Sequence, residues 1–289
     1  MSQITVVTHN GIFHADDVFS IAALKLLFPS IHLIRTRDPD TLAKADIVVD
    51  VGGVYDPETD RFDHHQRDGA GQRENGIPYS SFGLIWKKYG LEICQGEKDV
   101  AHAVDTGLVS TIDAIDCGHV EGLAEGISLS QTISLFNPSW EENVDIDEHF
   151  DEAVVFASRI LERFIVSAKG SVNAKGIVAK AIENAKDPRV IVLDQFTPWK
   201  RTVHALSEDA LYMVYPSQTG QWRIQTVPVE PGSFENKKSL PESWGGLADE
   251  ALQDVTGVND AMFCHNGLFI AGTDSFEGAM AMASLALND

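Results

Sequence analysis

Short apolar runs alternate with segments of helical spacing through the first 90 or so residues. Ile4–Thr8 is a β-branched run and predicts a strand. Asp16–Phe28 carries apolar residues at helical spacing behind an acidic first turn, and Pro29 stops it, which predicts a helix. Ile31–Arg35 predicts a second strand, Pro39–Lys44 a short helix, Asp46–Asp50 a third strand and Thr59–Asp63 a fourth. Ser80–Tyr89 predicts a helix, with Phe82, Ile85 and Trp86 at core spacing. Strands alternating with helices imply a largely parallel sheet with helices on both faces.

Further along, Ala101–Asp116 predicts a helix ending near Gly118, and Glu141–Lys186 is helix-rich with a break expected near Gly170. Strands return at Val190–Leu193, Leu211–Tyr215 and Trp222–Val227, followed by a loop from Pro228 to Pro241. Leu247–Val255 predicts a helix. Ala261–His265 and Leu268–Ala271 predict strands joined by a tight hairpin at Asn266-Gly267, and Gly278–Leu287 a last helix. The fold class is α/β. The expected layout is a mostly parallel sheet domain over 1–130, a helical connector over 131–188 and a smaller α/β domain over 189–289, with the boundary inside 125–190.

Composition narrows the setting. A chain of 289 residues suits two domains, and an apolar fraction of 44% supplies sizeable cores. No apolar run is long enough to predict a membrane helix, and the start of the chain has no secretory pattern. Cys94, Cys117 and Cys264 form neither a zinc pattern nor a disulfide framework, so a cytoplasmic location is expected. The net charge of −21 disfavours adhesion to duplex DNA or an anionic membrane. A small anionic substrate remains open, because bound cations can reverse the field inside a cleft.

The candidate chemistry sits where the first strands stop. His9 follows the first strand, Asp50 ends the third and precedes Gly52-Gly53, and Asp63-His64-His65 ends the fourth. His14 and Asp16 lie on the adjoining loop and helix start, where Asp16 and Asp17 are also simply good first-turn residues. Ligands gather beyond the carboxyl ends of parallel strands. Mixed imidazole and carboxylate donors suit Mn²⁺, Zn²⁺ or Co²⁺. His9, His14, Asp16, Asp50, His64 and His65 exceed the needs of one four-coordinate ion. Two ions sharing Asp50 as the bridge would use them, and such a pair generates a metal-activated hydroxide for attack on phosphorus.

These segments carry a resemblance. His9-x4-His14-x-Asp16, Val49-Asp50, Asp63-His64-His65 and an Asp within 113–116 resemble the DHH phosphoesterase superfamily. With Thr8-His9-Asn10-Gly11, Asn137-Pro138-Ser139-Trp140, Pro198-Trp199, Leu240-Pro241-Glu242-Ser243-Trp244-Gly245-Gly246-Leu247 and Phe263-Cys264-His265, the chain looks most like the melanocyte-proliferating-gene (MYG) family of that superfamily. The resemblance implies a DHH-type catalytic domain, a second domain that binds substrate, and an active site in the cleft between them. It implies two divalent metals, Mn²⁺ first, with Zn²⁺ or Co²⁺ as alternatives. One metal would take His9, His14 and Asp50. The other would take Asp16, Asp50, His64 and Asp116, with Asp113 the competing choice for that last ligand. His65 and Asp50 would be the catalytic residues, His65 contacting the substrate phosphate or the leaving group.

Arg35, Arg37 and Arg67 are candidates for the phosphate path, with surface salt bridges as the competing explanation. In the second domain, His265, Gly245, Gly246, Lys200, Arg201 and Arg223 could hold the far end of a substrate, and Trp199, Trp222 and Trp244 could stack bases, with core packing the commoner role for a tryptophan. The expected activity is metal-dependent hydrolysis of short single-stranded RNA or small nucleotides, and the resemblance implies a 3′–5′ exonuclease-like manner. A pyrophosphatase-like hydrolase and a non-hydrolytic metal-dependent binding protein are the alternatives. No stable duplex DNA binding is expected, and a homo-oligomer is compatible with the sequence.

Overall fold

β1 (Ile4–Thr8) lies at the heart of the first sheet, between β2 (Ile31–Arg35) and β3 (Ile47–Val49), and runs parallel to both. β5 (Arg61–Phe62) continues the parallel set beside β3, and β4 (Tyr55–Asp56) closes the edge antiparallel to β5, giving the order β2-β1-β3-β5-β4. The structure is a computed structural model describing residues 3–119 and 126–289. Met1, Ser2 and residue 125, where the expected boundary range begins, lie outside the described residues. The expected α/β class holds, with helices on both sides of the first sheet.

α1 (Ala15–Leu27) is buried at every position from Ala15 to Leu24. An apolar stripe would be enough for a surface helix; burial all round marks a central one. It packs on α3 (Ser81–Ile93), with Phe19 against Phe82 at 5.4 Å between rings and Ser20 Oγ 3.3 Å from Ser81 Oγ. α2 (Pro39–Lys44) starts with Asp38 accepting from the Thr41 amide and has Pro39 at its first position. Under it, Val7, Ala45, Val48 and Val51 form one apolar cluster against the sheet.

The helix expected over Ala101–Asp116 is three segments. α4 (Lys98–Val104) and α5 (Ser110–Asp116) flank a π-helical turn at Asp105–Val109. α6 (Leu129–Ser134) follows, with Ser128 and Gln131 in a reciprocal capping box. α7 (Ile146–Glu183) runs 38 residues without the break expected near Gly170. A helical glycine costs only about 1 kcal/mol relative to alanine. The apolar rows Phe150, Ala153, Val154, Ala157 and Leu161, then Ala174 and Val178, are buried at helical spacing on either side of it.

Contacts divide the chain into Met1–Lys169 and Gly170–Asp289. The second unit carries the order β6-β7-β8-β10-β9. β6 (Val190–Val192) and β7 (Tyr212–Pro216) are parallel. β8 (Trp222–Thr226), β10 (Ile270–Thr273) and β9 (Ala261–Cys264) join antiparallel. β7 shows the two-residue alternation of a strand covered on both faces. Tyr212 and Val214 join the cluster with Trp244, Leu252 and Met282, while Met213 and Tyr215 join the one with Ile191, Leu193, Trp199 and Val203.

α8 (Lys200–Leu206) was not expected; α9 (Asp249–Thr256) and α10 (Phe276–Asn288) complete the unit. The β9–β10 connection is not the two-residue hairpin expected. Five residues link the strands, and Leu268, not Gly267, adopts the left-handed conformation, at φ 56°.

Candidate metal centre

Three strand ends and two helices converge on one buried cluster. His9 follows β1 and is buried. Its Nδ1 lies 3.1 Å from the Asn10 carbonyl, so the ring donates there and leaves Nε2 with its lone pair. That Nε2 is 3.3 Å from Asp17 Oδ2 and 3.3 Å from Asp50 Oδ2. Asp50 follows β3 in the left-handed conformation, φ 57°, which Asp tolerates better than most residues. Its amide donates to Phe62 O on β5, which fixes the turn and directs the carboxylate into the cluster.

His64 lies beyond β5. Its Nε2 is 3.2 Å from Asp116 Oδ2, 3.3 Å from Asp50 Oδ1 and 3.6 Å from Asp16 Oδ2, and its Nδ1 is 3.9 Å from Cys117 Sγ. Asp116 is the last residue of α5. Asp16 is held on α1 by the Ser81 hydroxyl at 2.7 Å and the Ser81 amide at 3.2 Å. His65 stands at the rim, its side chain 62% exposed. Asp63 orients it, accepting from the His65 ring at 2.7 Å and the His65 amide at 3.0 Å, while its other oxygen accepts from the Gly53 amide at 2.6 Å.

The donor atoms fall into overlapping groups, each within 4.8 Å: His9, Asp17 and Asp50; Asp50, His64 and His65; His14, Asp16 and Asp116; and His64, Asp116 and Cys117. Asp50 is shared by the groups around His9 and around His64. His14 groups with Asp16 and Asp116 instead of completing the set around His9. Asp17 stands there instead, an acid whose place in the first turn of α1 already explains it in sequence. Asp17 does serve the helix: its Oδ1 accepts from the His14 amide at 3.0 Å and the Val18 amide at 2.8 Å. Its other oxygen faces the cluster. Asp113 is elsewhere, in an ion pair with Arg73 at 2.7 Å and hydrogen-bonded to Ser80 Oγ and the Gly83 amide.

The cluster fits cations. Asp16 Oδ1, Asp17 Oδ2 and Asp50 Oδ1 are buried without a hydrogen-bond partner. Buried carboxylate oxygens left so are costly unless something else satisfies them. The imidazole–carboxylate approaches of 3.2–3.6 Å are longer than the about 2.7–2.9 Å of charge-assisted hydrogen bonds. Ligands about 2.0–2.2 Å from a common ion would stand about 3.0–3.6 Å apart. Nitrogen and oxygen donors without a thiolate majority match borderline divalent ions such as Mn²⁺, Co²⁺ or Zn²⁺.

Electrostatics agree. Burial, then the charge of Asp50, raises the Asp16 pKa. Burial, then Asp16, lifts Asp17 well above the ordinary carboxylate value. Burial and Asp16 lift Asp116 to about 8. Asp50 goes the other way, to about 2: burial opposes its charge, but the His64 and His9 rings outweigh burial. Those rings rise in turn, His64 to about 11 against its own burial penalty and His9 above its usual value, each drawn up first by Asp50. The carboxylates compete for too little positive charge.

The substrate candidates are less uniform. Arg35 is engaged: its guanidinium meets Asp147 at 2.5 Å and the Gly11 carbonyl at 2.6 Å, and lies over the Phe150 ring at 4.3 Å. That is the salt-bridge alternative, and it braces the loop carrying His9 and His14. Arg37 and Arg67 are exposed. In the second unit His265 is exposed, its Nδ1 accepting from the Gly267 amide at 2.9 Å. Gly246 (φ 75°) and Gly245 lie beside Asn266, and a Cβ on Gly245 would come 3.1 Å from Leu268. Trp199 and Trp244 are buried and Trp222 packs on Phe276 at 4.8 Å, so these rings belong to the core of that unit.

Known proteins match this chain over nearly its whole length. The family model MYG1_exonuc, described as Uncharacterised protein family (UPF0160), matches residues 5–287. The MYG1 exonuclease of Homo sapiens is 34% identical over 326 residues, covering 99% of this chain and 86% of the human one. The MYG1 exonuclease of Mus musculus is 33% identical over 326 residues, with 99% and 86% covered. The MYG1 protein C694.04c of Schizosaccharomyces pombe is 33% identical over 318 residues, with 99% and 98% covered. No solved structure matches.

Proposed function

Because the chain belongs to the MYG1_exonuc family, we propose that it is a metal-dependent phosphoesterase that removes nucleotides from the end of short single-stranded RNA or acts on small nucleotides. The observation that carries this is the cluster in which three buried carboxylate oxygens lack a hydrogen-bond partner around two imidazoles. Four carboxylates gather there, Asp16, Asp17, Asp50 and Asp116, a formal charge of −4 that two divalent cations (2 × +2) balance. His9, Asp17 and Asp50 would hold one cation and Asp16, Asp50, His64 and Asp116 the other, with His14 beside the second set. Asp50 would be common to both, Mn²⁺ is the first choice, and a DHH-type centre is the parent pattern.

Such a pair supplies Lewis-acid charge to phosphoryl oxygens and acidifies water at neutral pH. The protein's own share is positioning. The Asn10 carbonyl and Cys117 set the ring orientations of His9 and His64. Asp63 holds His65 at the exposed rim, where the ring, once it carries a proton on both nitrogens, can donate its remaining N–H to a phosphate oxygen or a leaving oxygen. No helix among the described residues is long and apolar enough to cross a membrane. The test is a time course on labelled single-stranded RNA, duplex DNA and pyrophosphate, with Mn²⁺ and with chelator. Stepwise shortening of the RNA that stops with chelator is expected. Internal cleavage, or preference for pyrophosphate, would overturn the exonuclease reading.

A further inference from the structure

The chain has five tryptophans, and four of them are packed. Trp86, Trp199 and Trp244 are buried, and Trp222 lies against Phe276. Trp140 is 91% exposed. Leaving an indole in water forgoes the largest single burial gain a side chain offers, so a tryptophan held outside calls for a partner.

Its setting is not a loose loop. Three residues earlier, Asn137 brackets the backbone of Phe13: its Oδ1 accepts from the Phe13 amide at 3.0 Å and its Nδ2 donates to the Phe13 carbonyl at 2.9 Å. Phe13 adjoins His14 in the metal-centre loop. On the other side of Trp140, the Ser139 amide donates to Glu142 Oε2 at 2.6 Å and the Glu142 amide donates back to the Ser139 carbonyl at 3.1 Å. The indole is thus carried on a closed turn tied to the loop that bears His9 and His14. Three residues of chain span at most about 11 Å, so the turn stays near its anchor at Asn137.

We propose that Trp140 is a stacking platform for a nucleobase of the substrate whose phosphate enters the metal centre; the inference rests on the nucleotide reading above. An aromatic face accepts any base and requires it to be unstacked from a partner strand, which selects single strands over duplexes without reading sequence. Glu141 follows directly and Glu142 is engaged by Ser139, so this turn offers no cation for a phosphate. The platform takes the base, and the phosphate is left to the metal centre. Ile127 and Leu135 are exposed in the same stretch, which would suit a protein partner instead.

The experiment compares KM for a short RNA and for the same oligomer lacking its terminal base, with Mn²⁺, in wild type, Trp140→Ala and Trp140→Phe. Wild type should favour the base-bearing oligomer. Trp140→Ala should shrink that preference about 10-fold or more, and Trp140→Phe should restore most of it, because stacking needs a ring and not an indole N–H. An unchanged preference in Trp140→Ala, with wild type cleaving both oligomers, overturns this inference alone. So does a wild type that self-associates through Trp140, seen as dissociation in Trp140→Ala with no change in the preference. A wild type that cleaves neither oligomer sinks the nucleotide reading and this one with it.

Discussion

Replacing Asp17 by Asn separates its two jobs. The amide keeps Oδ1, so the acceptor for the His14 and Val18 amides at 3.0 and 2.8 Å survives and α1 keeps its cap. What changes is the oxygen facing His9 at 3.3 Å, which becomes an NH₂ and can no longer ligate. Outer-shell substitutions alone weaken metal binding by about 10–100-fold; losing a ligand should reach at least the upper end. At saturating metal, a 100-fold weaker Kd removes about 2.7 kcal/mol of stabilisation. For a unit of this size that is about 5–10 °C in Tm.

Without metal the sign reverses. Burial and Asp16 hold the Asp17 pKa well above its unfolded value, so its ionised form opposes folding at neutral pH. A neutral amide relieves that cost, and the metal-free Tm should rise. Melting curves with chelator and with a Mn²⁺ series, alongside calorimetric Kd, read both effects. A variant that binds Mn²⁺ as wild type does would refute the ligand role. One that loses equal Tm with and without metal would reduce Asp17 to a helix cap.

The cluster makes a pH prediction with one sign. Asp16, Asp17 and Asp116 have folded pKa values above their unfolded ones, and so does His64 at about 11, so between pH 4 and 8 the folded chain binds more protons than the unfolded one. Metal-free stability should therefore fall as pH rises through that window, and Mn²⁺ should raise Tm most at its upper end; a metal-free Tm that climbs from pH 4 to 8 contradicts this. His65→Gln should lower turnover about 10²–10³-fold while metal content holds, with Asp63→Asn smaller in the same direction; metal loss matching that of His64→Ala would exchange their roles. Asn137→Ala leaves the buried Phe13 amide and carbonyl without their partner and should cost about 2 kcal/mol, with metal affinity falling too, read by denaturant melts and titration; a variant as stable as wild type would show the anchor to be idle.

Residues at strand ends were legible because two signals coincide there. Ile4–Thr8, Ile47–Val49 and Arg61–Phe62 stop directly before His9, Asp50 and the Asp63-His64-His65 run, so periodicity located the chemistry. Asp17 was hidden because an acid in a helix's first turn already has a local explanation. Only the third dimension shows that its second oxygen turns into the centre. Asp113 and Asp116 share a helical face in sequence; the ion pair from Arg73, reaching Asp113 from a loop, tells them apart. Gly170 carried too little penalty to end a 38-residue helix with buried apolar rows on both sides. The two-residue strand β4 and the π-helical turn lack the length for a periodic signal. Tryptophan type alone pointed to Trp199, Trp222 and Trp244 for stacking; burial of Trp199 and Trp244, and the packing of Trp222 on Phe276, remove them from that role.

A binuclear centre bridged by Asp50 is tested by a Mn²⁺ titration of the chelator-treated protein followed by electron paramagnetic resonance, in wild type and Asp50→Ala. Two Mn²⁺ per chain with the spectrum of a coupled pair are expected in wild type, and loss of the coupled signal in Asp50→Ala. A single uncoupled Mn²⁺ in wild type, or a coupled pair that persists without Asp50, would contradict it.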